Sequence, residues 1–335
     1  MKKAIKIIII LIIFICIFAF LNMLFKPKYA TSLVEGSMIC QYYDEPKDHE
    51  IIFIGDCEVY ANFSPMAMYE ESGIKAYVRG SSQQLIWQSY YVLEETLKYE
   101  IPKIVVLNIN SMRYGKDSDK VNEAYNRLMI DNMKWSDTKI MLIKESMTKD
   151  ETFMSYVFPI LRYHSRFDEL TNEDFEYLFK NKKNTYNGFL INKGVKPVAN
   201  LPTKRRLASY EFPKENYEWL DRITDLCKKN DIKLVLIKAP SVYPYWYDEY
   251  DENIEKYAKN NNLDYYNFLD VTDEIGIDYN EDTYDGGLHL NLSGATKLSK
   301  YFAKILEERY NLTDYSKDLV YEEKLEKYNK EIETK

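Results

Sequence analysis

The sequence predicts a three-layer α/β/α sandwich around a mainly parallel sheet, preceded by one membrane-spanning helix and interrupted by a largely helical insertion. Three observations carry this expectation: short apolar runs ending near Gly, Asn or Asp, stretches with apolar residues at helical spacing between them, and one long apolar run at the N-terminus. Strands buried on both faces read as continuous apolar runs, and their alternation with helices places them side by side in parallel.

The N-terminal run covers residues 7–25, is broken only by Asn22, and follows Lys2, Lys3 and Lys6. A helix needs about 20 apolar residues to cross the hydrocarbon core of a bilayer. A signal peptide would have a shorter apolar region and a small-x-small cleavage site; here Lys26, Pro27, Lys28 and Tyr29 follow. Cys16, in Phe14-Ile15-Cys16, lacks the small neighbours of a lipoprotein site. The reading is an uncleaved anchor, with membrane lipid as its partner. Three lysines and the free amino terminus outweigh Lys26 and Lys28, so the N-terminus is expected in the cytoplasm and the rest of the chain outside.

The expected division is therefore 1–28 for the cytoplasmic stub and anchor, 29–49 for a polar stalk holding a solvated His49, 50–312 for the main domain, and 313–335 for a charged, solvated tail or helix. With 335 residues a sizeable core is available, and 46% hydrophobic with 29% charged residues excludes a disordered or fibrous chain. Five of the 45 basic residues and none of the 53 acidic ones lie in 1–28, which leaves the remainder at a formal charge of about −13. Such a surface excludes nucleic acid and disfavours anionic lipid.

Within the main domain the first strand is expected at 50–55 (Glu-Ile-Ile-Phe-Ile-Gly), followed by 76–78, 103–108, 233–237 and 264–268. Helices are expected at 81–99, 215–228, 247–260 and 293–308, with Trp87 and Trp135 in the core. Between about 111 and 213 the alternation stops and helical stretches such as 125–144 and 173–180 take over; this insertion is either a packing cap or a lid and substrate wall. Cys40, Cys57 and Cys227 lie outside the membrane; an odd number without close spacing indicates neither a disulfide framework nor a zinc site.

Ligands of open α/β sheets sit beyond the carboxyl ends of the strands, so the residues there carry the chemistry. Those ends hold Gly55-Asp56-Cys57, Arg79-Gly80-Ser81 and Asn108-Ile109-Asn110, while Asp285-Gly286-Gly287-Leu288-His289 lies near the chain's end. In this order they resemble the SGNH, or GDSL-like, hydrolase superfamily, which is flavodoxin-like in fold. The resemblance is to the membrane-anchored bacterial branch related to the teichoic-acid D-alanylation protein DltD and to alginate O-acetylation proteins. It covers roughly 50–110 and 215–310, not the insertion.

That family places a nucleophilic serine where this chain has Cys57, and its oxyanion donors correspond to the backbone N–H groups of Cys57 and Gly80 and the amide of Asn110, with Asn108 as the fallback. His289 matches the family's base. The family's aspartate lies three residues before the histidine; Asp285 lies four before, with Gly286-Gly287 free to bend the backbone, and Asp282 is the alternative orienter. A histidine takes the nucleophile's proton and returns it to the leaving group, while the carboxylate fixes its tautomer. A thiolate at a helix N-terminus beside an imidazolium is expected to be present at rest.

Each of these residues has a second, structural reading: Cys57 as a small buried residue, Gly80 as a turn, Asn110 as a helix cap, the acidic stretch around Asp282 and Asp285 as a solvated loop. Gln83 and the aromatic stretch with Tyr245 and Trp246 follow strands and are candidate substrate contacts. His164 either packs or meets an anion. The resemblance implies an extracytoplasmic esterase or acyltransferase at the cell membrane, acting on acyl groups of a cell-envelope polysaccharide or teichoic-acid-like polymer through Cys57, His289 and Asp285, without metal or organic cofactor. A membrane-bound O-acyltransferase is the implied partner. The alternative is an inactive ectodomain of the same fold that binds glycan or such a partner.

Overall fold

Ile51, Ile52, Phe53 and Ile54 are all fully buried, so this strand has no solvent face and reads as unbroken apolar sequence. In the computed structural model, which describes residues 2–26, 35–118, 121–179 and 185–334, it is the first strand of a five-stranded, wholly parallel sheet. The expected junction of anchor and stalk falls in 27–34 and Lys180 ends an expected helix; both lie outside the described residues.

The chain runs α1 (Lys2–Phe25), α2 (Glu35–Gln41), β1 (Ile51–Gly55), α3 (Cys57–Asn62), α4 (Pro65–Ser72), β2 (Ala76–Gly80), α5 (Ile86–Thr96) and β3 (Ile104–Asn108). The insertion follows with α6 (Glu123–Ile130), α7 (Asp137–Ser146), α8 (Phe153–Val157), α9 (Ile160–Tyr163) and α10 (Asn172–Phe179). The core resumes with α11 (Lys214–Lys229), β4 (Lys233–Lys238), α12 (Asp248–Asn261), β5 (Asp264–Asn267), α13 (Thr272–Ile275), α14 (Leu292–Arg309) and α15 (Leu319–Glu333). The strand order β2-β1-β3-β4-β5 places β1 and β3 in the middle.

Alternate residues of each strand face opposite layers. Ile52, Ile54, Val105, Leu107, Leu234 and Leu236 pack with α5, α7 and α11, whereas Ile51, Phe53, Ile104, Val106, Val235 and Ile237 pack with α3, α4 and α14. Full burial of one such side chain stabilises the fold by about 1.5–3 kcal/mol, and this double-sided core is what holds the strand ends in place. The α/β sandwich expected from the pattern is the fold observed.

Four local expectations differ from the structure. The single helix expected at 125–144 is two, because Ser136 accepts from Lys139 N at 3.2 Å and starts a new helix. Trp135, in that break, is 51% exposed rather than core. In the expected stalk, Ile39 and Tyr42 join the core and His49 is buried against Glu100, Nδ1 to Oε2 at 2.9 Å. The expected solvated tail forms α15, which buries Tyr321 and Tyr328 and is held by the Lys75–Asp318 ion pair at 2.6 Å.

Candidate active site

Asp56 follows β1 and caps α3, accepting from Glu58 N at 3.1 Å through Oδ1. This cap puts Cys57 at the first helical position, half-buried at the carboxyl edge of the sheet. Gly80 lies beside Gly55 in the β1–β2 register, and a Cβ there would stand 2.6 Å from Val59 Cγ2 and 3.0 Å from Asp56 O. Only glycine lets β2 approach the Cys57 turn this closely.

Cys57 opens onto a cavity of about 390 Å³ whose walls include Gln83, Asn110, Tyr114, Tyr243 and Leu288. Gln83 holds a left-handed backbone, φ 53°, which a non-glycine residue adopts only at a conformational cost. Its N–H and that of Cys57 itself are the groups placed to stabilise charge on the sulfur. Of the expected substrate contacts, Gln83 therefore lies at the cavity. Tyr245 and Trp246 do not: Tyr245 packs edge-on against Tyr247 at 4.7 Å, and Trp246 is buried beside a separate acidic hollow with Asp248 and Asp251. Tyr243 and Pro244 of the same stretch take the cavity wall.

Asn110 sits at the start of a 3-10 turn after β3, and its amide donates to Asp56 Oδ2 at 2.7 Å while its carbonyl oxygen accepts from Arg113. Asn108 donates to Asp56 Oδ1 at 3.1 Å and to Glu58 Oε2 at 2.9 Å. Both asparagine amides are thus engaged by carboxylates in the resting site.

His289 lies in the loop before α14. Its Nδ1 is 2.6 Å from Asp285 Oδ2, and its backbone N–H donates to Asp285 Oδ1 at 2.8 Å. The four-residue spacing closes because Gly286 and Gly287 take φ 83° and 96°. A Cβ at Gly287 would stand 2.4 Å from Val242 Cγ2. Thr283 staples the loop, donating to His289 O at 2.7 Å and accepting from Gly287 N at 2.8 Å. Leu290 N donates to Asn62 Oδ1 at 2.8 Å, which fastens the loop to the far end of the Cys57 helix.

The ring of His289 stacks on Tyr284, and its Nε2 is buried with no hydrogen-bond partner. No hydrogen bond joins Nε2 to the Cys57 sulfur in this resting arrangement. Asp282 is occupied elsewhere: fully buried, it pairs with Lys297 at 2.7 Å and accepts from Asp278 N at 2.8 Å. The imidazole's carboxylate contact is Asp285.

Beneath Cys57 lies a buried pair that the sequence reading passed over. Lys238 Nζ is 3.1 Å from Glu58 Oε1 and donates to Ala239 O at 2.6 Å, with both charged side chains almost wholly inaccessible. Burial pushes the Glu58 carboxyl up and the Lys238 ammonium down, and each partner opposes that push on the other. The signal was a charged residue in the first turn after one apolar strand and another at the end of a second; nothing in the sequence joined the two.

Burial pushes the Cys57 thiol well above its usual range, and the carboxylates of Asp56 and Glu58 push the same way. These directions favour the protonated thiol and run against the expected thiolate. The physical reason is desolvation first and the two neighbouring carboxylates second, which outweigh the N–H groups of Gln83 and Cys57. None of the four cysteines forms a disulfide, and among the described residues no cluster of His, Cys, Asp or Glu is placed to hold a metal ion.

No protein-family model matches this chain, and no curated protein matches it in sequence. Among the crystal structures with a remote likeness to this chain are two of bacterial proteins. One is of an acylhydrolase from Bacteroides fragilis, 11% identical, with a TM-score of 0.39 over 80% of this chain and 94% of the other. The second is of a GDSL-like lipase from Bacteroides thetaiotaomicron, 14% identical, with a TM-score of 0.35 over 82% of this chain and 100% of the other. At such scores the likeness bears no weight for the chemistry, which stands on the geometry above.

Proposed function

We propose that the chain is a membrane-anchored esterase or acyltransferase of the SGNH type, with Cys57 as nucleophile, His289 as base and acid, and Asp285 as orienter. The observation that carries this reading is the His289–Asp285 contact, which leaves a buried imidazole nitrogen unpartnered on a loop fastened to the Cys57 helix. Helix α1 is 24 residues long and apolar enough to cross a membrane. It anchors the chain with the N-terminus in the cytoplasm and the sandwich outside, facing acyl groups of a cell-envelope polysaccharide or teichoic-acid-like polymer.

With Nδ1–H donated to Asp285, Nε2 carries the lone pair and acts as the proton acceptor. Because the thiol is protonated at rest, its proton passes to Nε2 as sulfur attacks the acyl carbon. The oxyanion is met by the N–H groups of Cys57 and Gly80 and by the Asn110 amide, which leaves Asp56 to do so; one such donor is worth about 3–4 kcal/mol of barrier. His289 then protonates the departing alkoxide oxygen. Water, or a second hydroxyl, takes the acyl group from the thioester and restores the thiol. No metal or organic cofactor enters this scheme.

A second reading has its own observations. The Asn110 amide is engaged by Asp56 and the Cys57 thiol is held high, as in an ectodomain that keeps the fold to bind glycan or a membrane O-acyltransferase partner. Turnover of a small activated ester by the full chain in detergent separates the two. The catalytic reading expects hydrolysis that Cys57→Ala and His289→Ala both abolish; hydrolysis that survives both refutes that assignment, and glycan binding with no turnover favours the second.

A further inference from the structure

Tyr114 is the part of the insertion that lines the Cys57 cavity; no residue of 153–179 is among its walls. The insertion's helices α9 and α10, with the turn between them, pack instead against α1. Every residue from 2 to 17 is exposed, and cover begins at Phe18, whose ring lies 5.4 Å from that of Phe158. Asn22, the one polar residue of the apolar run, accepts from Ile160 N at 3.1 Å. Arg166 donates to the carbonyls of Phe25 and Lys26, each at 3.0 Å, and so satisfies the open C-terminal end of α1.

This contact has a depth. At 1.5 Å per residue Phe18 lies roughly 10 Å along the helix from Phe25. A run from 7 to 25 that fills a core about 30 Å thick therefore carries Phe158 and Ile160 below the outer hydrocarbon boundary. Around the contact, four large apolar side chains point away from the protein: Met154 is 50% exposed, Leu161 55%, Phe167 71% and Phe175 41%. They come from consecutive elements that also carry exposed Arg162, Asp168 and Glu169, the mixed composition of a segment lying in a headgroup region.

Resting on the anchor reading above, we propose that residues 153–179 form a foot sunk into the headgroup–acyl boundary of a zwitterionic bilayer beside α1, with Met154, Leu161, Phe167 and Phe175 as its lipid contacts. Continuity with the membrane helix names lipid as the occupant of this face. The strongly acidic chain outside the anchor makes neutral headgroups the fitting ones. The foot fixes the height and tilt of the sandwich over the membrane, a constraint that a single flexible anchor does not supply.

The test uses the full chain in phosphatidylcholine vesicles containing a phosphatidylcholine with a photoactivatable diazirine in its upper acyl chain, followed by peptide mapping by mass spectrometry. Lipid adducts are expected on α1 and on peptides from 153–179. In Phe167→Glu/Phe175→Glu the adducts on 153–179 fall roughly five- to tenfold while those on α1 stay unchanged. Wild-type adducts on α1 alone overturn the foot and leave the anchor standing; adducts on neither segment overturn the anchor reading and the foot with it. Adducts on 153–179 that persist undiminished in the double variant, with an unchanged melting temperature, overturn the assigned contacts.

Discussion

His289 and Asp285 share two hydrogen bonds, Nδ1 to Oδ2 at 2.6 Å and backbone N–H to Oδ1 at 2.8 Å, so one carboxylate fixes both the ring and the loop that carries it. Asp285→Asn keeps an acceptor for the backbone but removes the charge that stabilises an imidazolium. The expected outcome is a fall in kcat of about 10²–10⁴-fold with KM little changed, read from ester hydrolysis. An equal fall in Asp282→Asn would contradict the assignment of Asp285.

Asp282 has a different consequence. Burial raises its carboxyl, but Lys297 and the Asp278 N–H outweigh this and hold it below the ordinary value of 3.8. A depressed folded value means that its stabilisation is complete above the unfolded pKa and is lost as pH falls through the folded one. Chemical denaturation between pH 7 and pH values below 3.8 is expected to show a smaller acid loss in Asp282→Asn than in wild type, from a lower starting stability.

The thiol makes its own pH prediction. With Cys57 held well above 9.0, alkylation of this residue at neutral pH is expected to be slower than that of a free thiol, and to rise only in strongly alkaline solution. Asp56→Asn keeps a good helix cap while removing one of the two carboxylates, and labelling is expected to quicken several-fold. Rapid labelling of wild-type Cys57 at pH 7 would contradict the resting thiol.

Glu58 and Lys238 form the buried pair behind the site, so removing one partner strands the other. Glu58→Gln or Lys238→Met alone is expected to cost about 3–5 kcal/mol, and the double substitution to recover much of it. A double-mutant cycle in denaturant measures this coupling directly; additive losses would show that the pair is not a unit.

Gly287→Ala meets two obstacles, a φ of 96° and Val242 Cγ2 at 2.4 Å from the new Cβ. Gly276, at φ 78° with nothing within 4 Å, meets only the first. Loss of ester hydrolysis is expected for Gly287→Ala, because the loop carrying His289 must shift, whereas Gly276→Ala is expected to cost about 1 kcal/mol of stability and no activity.

What was legible in the sequence follows burial. The runs at 50–55 and 103–108 announced strands because both faces of each are covered, and the strand ends pointed to Cys57, Gly80 and Asn110. The pairing of polar groups far apart in the chain was not legible. His49 looked solvated until Glu100, 51 residues on, came against it, and the tail looked solvated until Asp318 met Lys75. Glu58 and Lys238 are 180 residues apart. For the same reason the thiol's direction was missed: desolvation, its largest cause, is a property of the packed site.

The central claim is that Cys57 forms a thioester with His289 as its base. Full-length protein is exposed to p-nitrophenyl acetate at mildly acidic pH, quenched, digested and weighed. The account predicts an acetyl adduct on the peptide that holds Cys57, formed far more slowly in His289→Ala and absent in Cys57→Ala. An unmodified Cys57 in wild type, with the ester hydrolysed no faster than in Cys57→Ala, would contradict it.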